Sequence, residues 1–150
     1  MDQTQQIAPE DAGPHGAALP RRVLIVDDDP IQRAQICHYL RDQGYHCLEA
    51  ENGTQAVESL EAHHPEAVLL DIKMPDISGI EVAGIVADME PQPRIILMSG
   101  YLDAVNEAKR ANLKVFAVIE KPVPLRAIAH FLHQAFLAPA PGEASQSDQP

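Results

Sequence analysis

Side chains able to take part in phosphoryl chemistry follow several short apolar runs of this sequence. Three consecutive aspartates occupy positions 27–29, Asp71 ends a second run, and Ser99 and Lys121 follow two others. Clustered carboxylates resist ionisation unless a cation neutralises them, and hard oxygen ligands of this kind suit Mg²⁺. An aspartate in this setting can attack a phosphoryl group and form an acyl phosphate.

Phosphoryl transfer depends on in-line positioning and on neutralising the phosphate oxygens. In this sequence Mg²⁺ would hold one oxygen, the ammonium of Lys121 a second, and the hydroxyl of Ser99 with nearby backbone N–H groups a third. Each signal alone is weak, because a strand-end aspartate is usually a helix cap or turn residue, which is the interpretation we prefer for Asp29. Their combination in the expected strand order favours a phosphoryl-acceptor site in which an aspartate is the nucleophile.

The elements that position these side chains alternate along the chain. Short, almost continuous apolar runs predict parallel strands covered on both faces, at residues 23–26, 67–70, 94–98 and 115–119. A more mixed run at residues 45–50 predicts a strand at or near an edge. Five strand–helix units imply an α/β domain whose parallel sheet carries helices on both faces and binds ligands at the carboxyl ends of its strands.

Helical patterns lie between the strands. Asp29 and Pro30 are typical of an N-cap and a first helical position, and Gly44 suits the left-handed end of the first helix. The last helix has one apolar stripe, made of Leu125, Ile128, Ala129, Leu132 and Phe136.

The composition limits the possible classes of protein. A chain of 150 residues with 45% hydrophobic residues forms one domain with a real core. Its net charge of −11 argues against a surface that binds nucleic acid. No apolar run approaches the ~20 residues of a membrane span, and no secretory signal is present. We therefore expect a cytoplasmic protein in which Cys37 and Cys47 stay reduced.

Both ends of the chain read as disordered tails, at residues 1–20 and 138–150, because they are rich in proline and lack basic and large apolar clusters. The folded domain is expected at residues 21–137. Met1 and the irregular tails favour a stand-alone regulator over a piece of a longer protein.

Four stretches resemble the response-regulator receiver family across nearly the whole of residues 21–137: VLIVDDDP, DIKMPDISG, MSGY and EKP. The most specific stretch runs from Asp71 through Met74 and Pro75 to Gly79. The resemblance implies a flavodoxin-like, doubly wound, five-stranded parallel sheet with five helices in a single domain. It also implies a phosphoprotein of two-component signal transduction that is not an enzyme, although it assists its own phosphorylation and dephosphorylation.

The resemblance assigns roles residue by residue. Asp71 would be the phosphorylation site, Asp28 a direct Mg²⁺ ligand, and Asp27 a group that acts on the metal mostly through water. Lys73 would offer its backbone carbonyl to the metal, Lys121 would contact the phosphate, and the Lys121–Pro122 peptide bond would be cis. Ser99 would be the switch hydroxyl.

One position departs from the family pattern. The family often has an aromatic switch residue three positions before the lysine, and this sequence has Val118 there, with Phe116 two residues earlier. Tyr101 is a candidate substitute, and a surface tyrosine at a helix start is the alternative.

The expected partners are a histidine kinase or histidine phosphotransfer protein upstream and a protein target downstream. The target would dock on the face formed by the fourth helix, the fifth strand and the last helix.

Three other functions fit the sequence less well. A phosphorylation-independent binding module would have lost a site residue, and none is lost. A haloacid-dehalogenase-like phosphatase needs a second aspartate where Lys73 stands. A flavodoxin-like flavin binder needs a Ser/Thr/Gly phosphate loop after the first strand, and the three aspartates at positions 27–29 would repel the flavin phosphate.

Overall fold

The computed structural model describes residues 19–100, 106–107, 109, 112 and 114–138. The elements with defined bounds in this part of the chain are β1 (Arg22–Val26), α1 (Pro30–Asp42), β2 (His46–Ala50), α2 (Gly53–His63), β3 (Ala67–Asp71), α3 (Gly79–Ala87), β4 (Arg94–Ser99), β5 (Ala117–Glu120) and α4 (Leu125–Leu137). The predicted helix between β4 and β5 falls mostly outside the described residues, although positions 106, 107 and 109 are helical.

The five strands form one parallel sheet in the order β2-β1-β3-β4-β5. β2 lies at an edge, as its mixed composition predicts. The register pairs Val26 with Leu70 and Ser99 with Glu120, so neighbouring strands end at similar heights. Side chains that follow these strands therefore meet at one edge of the sheet, which confirms the predicted α/β architecture.

The sheet is covered on both faces, because successive strand residues point to opposite sides. One core cluster joins the sheet to α2 and α3, with Leu60 and Val82 among its buried members. The other joins it to α1 and α4, with Leu40 and Leu132 among its buried members. Strands buried on both sides explain why the sequence shows continuous apolar runs there.

Local signals in the sequence define several helix ends. Asp29 caps α1 by accepting the backbone N–H groups of Ile31 and Gln32, and Pro30 occupies the first turn. Gly44 follows α1 with a φ of 98°, the left-handed conformation predicted for it. None of the helices in the described residues is both long and apolar enough to cross a membrane.

The end of α4 is held at the amino edge of the sheet. The Arg94 guanidinium, at the start of β4, donates to the backbone carbonyl of Ala135 at 2.9 Å and to that of Ala138 at 3.5 Å. The guanidinium groups of Arg94 and Arg21 also lie 5.1 and 4.5 Å from the centre of the Phe136 ring. These contacts supply hydrogen bonds to two carbonyl groups at the end of α4 and cover the ring of Phe136.

The fifth strand is shorter than its apolar run. β5 begins at Ala117, whereas the sequence pattern predicts a start at residue 115. Val115 packs against a core cluster from the preceding segment, and only the N–H of Phe116 bonds to β4, at the carbonyl of Ile95. An apolar run reports burial and does not distinguish a paired residue from one that packs without pairing.

Candidate functional site

Four of the predicted site residues converge at the carboxyl edge of the sheet. Asp27 follows β1, Asp71 ends β3, Ser99 ends β4 and Lys121 follows β5. Asp27, Asp71 and Ser99 are the buried polar side chains among the described residues. Because β1, β3, β4 and β5 are successive neighbours in the sheet, the fold brings together groups up to 94 positions apart, from 27 to 121.

Lys121 links two of the carboxylates. Its Nζ donates to Asp71 Oδ2 at 2.9 Å and lies 3.5 Å from Asp27 Oδ2. Burial alone would lower the pKa of Lys121, but the hydrogen bond to Asp71 and the charges of both aspartates outweigh it and raise the pKa above 10.5. The ammonium is therefore charged at neutral pH and points at the carboxylate of the predicted nucleophile.

Asp27 is fully buried, and its two oxygens have different surroundings. Oδ1 accepts the backbone N–H of Asp29 at 2.9 Å, whereas Oδ2 has no hydrogen bond within the described residues. Burial raises the pKa of Asp27 above 3.8, and the charges of Asp71 and Asp28 add to this; the Asp29 N–H and Lys121 only partly offset it. A buried carboxylate oxygen that lacks a hydrogen bond is a good position for a cation to contact.

The three carboxylates Asp27, Asp28 and Asp71 each place an oxygen within 4.8 Å of the others. Asp28 is exposed, so the cluster opens to solvent on one side. Converging carboxylate oxygens, one of them without a hydrogen bond, fit a hard divalent cation such as Mg²⁺. Among the residues that the structure describes, this is the one group of acidic, histidine or cysteine side chains arranged in this way.

The loop after β3 folds back on Asp71. The backbone N–H of Lys73 points to Asp71 Oδ1 at 3.3 Å, and the N–H of Gly79 donates to the carbonyl of Ile72 at 2.8 Å. A Cβ on Gly79 would collide with the carbonyl oxygen of Asp71. The glycine in the most specific stretch of the sequence is therefore required by a close approach of two backbone segments.

The predicted switch residues are only partly described. Ser99 is buried, and its backbone carbonyl accepts the N–H of Lys121 at 2.7 Å. Val118 is half-buried in β5, pairs with Leu97 in register and packs against the core on the α2 and α3 face. Tyr101 lies outside the described residues.

Two residues near the site were not predicted from the sequence. Arg33, on α1, donates to the backbone carbonyl of Asp27 at 2.6 Å and to Glu49 at 3.1 Å, and it fixes the end of β1. Asp76, in the loop after β3, binds the N-terminus of α2. Neither contact has a local sequence signal, because the partners are brought together by the packing of separate elements.

Comparisons with known proteins agree with this geometry. A family model described as the response regulator receiver domain matches residues 23–133. The chemotaxis protein CheY of Bacillus subtilis is 39% identical over 103 residues, which cover 67% of this chain and 86% of CheY. The autoinducer 1 sensor kinase/phosphatase LuxN of Vibrio harveyi is 36% identical over 115 residues, which cover 73% of this chain but only 13% of LuxN.

A solved structure shares the fold. The response regulator protein TrrA of Thermotoga maritima, in complex with Mg²⁺-BeF, is 30% identical to this chain with a TM-score of 0.68. The match covers 76% of this chain and 97% of TrrA.

Proposed function

Because the chain belongs to the response regulator receiver domain family, whose members are two-component signalling modules and generally not enzymes, we propose that it accepts a phosphoryl group on Asp71. The donor would be a histidine kinase or a histidine phosphotransfer protein. The observation that carries the proposal is the convergence of three carboxylates, a buried serine and a charged lysine at the carboxyl edge of the sheet.

The proposed reaction exchanges one bond to phosphorus for another. A carboxylate oxygen of Asp71 attacks the phosphorus atom in line with the leaving group, and the bond from phosphorus to the donor's imidazole nitrogen breaks. The products are an acyl phosphate on Asp71 and a neutral imidazole on the donor, after a proton balances the charge on the nitrogen. Positioning and charge neutralisation supply most of the catalysis in such a transfer.

Receiver domains bind Mg²⁺ at their acidic pocket, and the carboxylate cluster of this chain fits that ion. In our proposal Asp28 and Asp71 bind the metal directly, Asp27 acts mostly through water, and Lys73 contributes its backbone carbonyl. Bound Mg²⁺ would supply positive charge against the phosphate oxygens.

Lys121 and Ser99 would handle the remaining phosphate oxygens. The ammonium of Lys121 already donates a hydrogen bond to Asp71 Oδ2, so a short movement would bring it into contact with the new phosphoryl group. The hydroxyl of Ser99 would donate to another oxygen and draw its loop towards the site. That movement would alter the docking face formed by the predicted helix between β4 and β5, by β5 itself and by α4, where a downstream protein would bind.

We expect this downstream partner to be a protein and not nucleic acid, because the chain is strongly acidic and would repel phosphates.

The decisive experiment is labelling with a small phosphodonor. Acetyl phosphate with Mg²⁺ should add one phosphoryl group, detected by intact mass, and peptide mapping should place it on Asp71. Asp71→Asn should abolish the label, whereas Asp88→Asn, which changes an exposed aspartate at the end of α3, should leave it intact. Normal labelling of Asp71→Asn would refute the assignment. Absence of both labelling and Mg²⁺ binding in the wild type would favour a phosphorylation-independent binding module.

A further inference from the structure

The loop after β3 is attached to the start of α2 through Asp76. Asp76 Oδ1 accepts the backbone N–H of Gly53 at 2.9 Å, and Oδ2 accepts the N–H of Thr54 at 2.9 Å and its hydroxyl at 2.7 Å. Gly53 and Thr54 are the first two residues of α2. One carboxylate thus satisfies two of the N–H groups that a helix start leaves free, where a negative charge is also favourable.

The hydrogen bonds of this attachment favour the charged form of the Asp76 carboxyl group. The Thr54 hydroxyl and the two backbone N–H groups hold the pKa of Asp76 well below its ordinary value, although the side chain is exposed. The helix has a separate cap of its own, since Asn52 accepts the N–H of Gln55 at 2.8 Å. Because Asn52 already caps α2, the contacts of Asp76 add a link between the helix and the loop.

The other contacts of the loop turn this attachment into a constraint on the acceptor. The two ends of the loop are fixed close to β3 by the Lys73 N–H on Asp71 and by the Gly79 N–H on Ile72. Next to Asp76, the side chain of Ile77 packs so closely on Gly53 that a Cβ there would collide with it. The middle of the loop is thus held by α2, while its first residues contact the carboxylate of the proposed nucleophile.

We propose that Asp76, with Thr54 as its partner, is a positioning residue for the Mg²⁺ and phosphoryl site. It fixes the loop against α2 and thereby sets the height of the Lys73 backbone beside Asp71. This inference rests on the proposed function, because it concerns the affinity of that site for its metal. It does not follow from the motif, which specifies Pro75 and Gly79 and leaves position 76 between them unspecified.

The test compares four variants for Mg²⁺ affinity, by calorimetric titration, and for urea stability. Asp76→Ala should weaken Mg²⁺ binding about 10-fold, the low end of the range for residues that support metal ligands. Thr54→Val, which removes the hydroxyl, should weaken Mg²⁺ binding by a smaller factor. Thr54→Ser keeps a hydroxyl and should bind Mg²⁺ with wild-type affinity. Asn52→Ala is the matched control, since it removes a cap of the same helix without touching the loop. It should lower stability and leave the affinity unchanged.

The rate of labelling by acetyl phosphate provides a second readout. In Asp76→Ala the Mg²⁺ concentration for half-maximal rate should rise, and the rate at saturating Mg²⁺ should return close to that of the wild type. Equal Mg²⁺ affinities for Asp76→Ala and Asn52→Ala would overturn the inference, because the role would then be helix capping alone. If Asp76→Ala does not fold, the comparison of Thr54→Val with Thr54→Ser decides between the same two outcomes. A failure of the proposed function is recognised separately. In that case the wild-type protein binds no Mg²⁺, or Asp28→Ala binds Mg²⁺ as tightly as the wild type does.

Discussion

The adjacent aspartates that follow β1 have opposite surroundings, although they are of the same residue type. Asp27 is fully buried beside Lys121, and Asp28 is exposed at the open side of the carboxylate cluster. Asp29 faces away from the cluster and caps α1. A cation arriving from solvent therefore meets Asp28 before it reaches Asp27.

We expect this difference to appear in Mg²⁺ binding. Asp27→Ala should weaken binding about 10-fold, as is common for groups that act on a metal indirectly. Asp28→Ala should weaken it more, because a direct ligand is lost. Asp29→Asn serves as the control, since it removes a neighbouring charge and keeps the helix cap, and it should bind nearly as the wild type does. Equal effects of Asp27→Ala and Asp28→Ala in calorimetric titration would contradict the assigned roles.

The buried carboxylate of Asp27 should also make stability depend on pH in the metal-free protein. Its pKa in the folded state lies above the ordinary 3.8, so the folded state binds this proton more tightly than the unfolded state does. Stability from this group is complete below pH 3.8 and is lost as the pH rises through the folded-state pKa. Asp27→Asn avoids the loss, so it should have a higher free energy of unfolding than the wild type at pH 7.

The measurement is urea unfolding in EDTA at several pH values between 3.5 and 7 for both proteins. The advantage of Asp27→Asn should shrink as the pH falls through the folded-state pKa towards 3.8, because the folded wild-type side chain then becomes protonated. A wild type that is more stable than the variant at pH 7 would show that the ion pair with Lys121 outweighs burial.

At the scale of elements, the loop between β3 and α3 depends on space as well as on hydrogen bonds. A Cβ on Gly79 would lie 2.8 Å from Ile72 Cα and 3.0 Å from the carbonyl carbon of Asp71. These are backbone atoms and cannot rotate away. Gly84, in the same helix, has nothing within 4 Å of such a Cβ.

The two glycines should therefore respond to alanine in opposite directions. Gly79→Ala should lower the free energy of unfolding by about 1–3 kcal/mol, the usual cost of overpacking. Gly84→Ala should raise it by up to about 1 kcal/mol, because alanine favours the helix. Urea unfolding of the two variants beside the wild type tests this. A stabilised Gly79→Ala would mean that the loop can move without cost.

The same elements show why the sequence predicts some features and misses others. Burial on both faces produces continuous apolar runs, and helix ends need particular caps, so the strands and the start of α1 can be predicted from local patterns. The attachment of Asp76 to α2 cannot, because it joins positions 23 residues apart through the path of a loop. Cys37 and Cys47 also have no informative spacing, yet the packing of α1 on β2 brings the two buried thiols close to each other, and no disulfide joins them.

At the scale of the whole molecule, a change at the carboxyl edge of the sheet has to reach the proposed docking face through β4 and β5. The Ser99 backbone is bonded to Lys121, so β4 and β5 are joined at the site itself. Val118 fills the position where the family often has an aromatic switch, and no large ring stands there to move. We therefore expect the hydroxyl of Ser99 to carry most of the coupling.

Ser99→Ala should separate phosphorylation from switching. Asp71 should still accept phosphate from acetyl phosphate, because the nucleophile and the lysine are unchanged. Backbone amide shifts on β5 and α4 should change with beryllofluoride in the wild type and change much less in the variant. A ligand shifts a two-state surface only through its different affinity for the two states, and the variant lacks that difference. Identical shift changes in both proteins would exclude the hydroxyl as the coupling element.

The anchoring of α4 by Arg94 has a practical consequence for attachments to the domain. Arg21 precedes β1 and Ala138 follows α4, and both lie at the edge of the sheet where the strands begin. Asp71 ends a strand of five residues, which spans roughly 17 Å at about 3.3 Å per residue. A fluorophore, affinity tag or fusion partner joined directly before Arg21 or after Ala138 would therefore start at the edge of the sheet opposite to Asp71. It would leave the approach of a phosphodonor to Asp71 unobstructed.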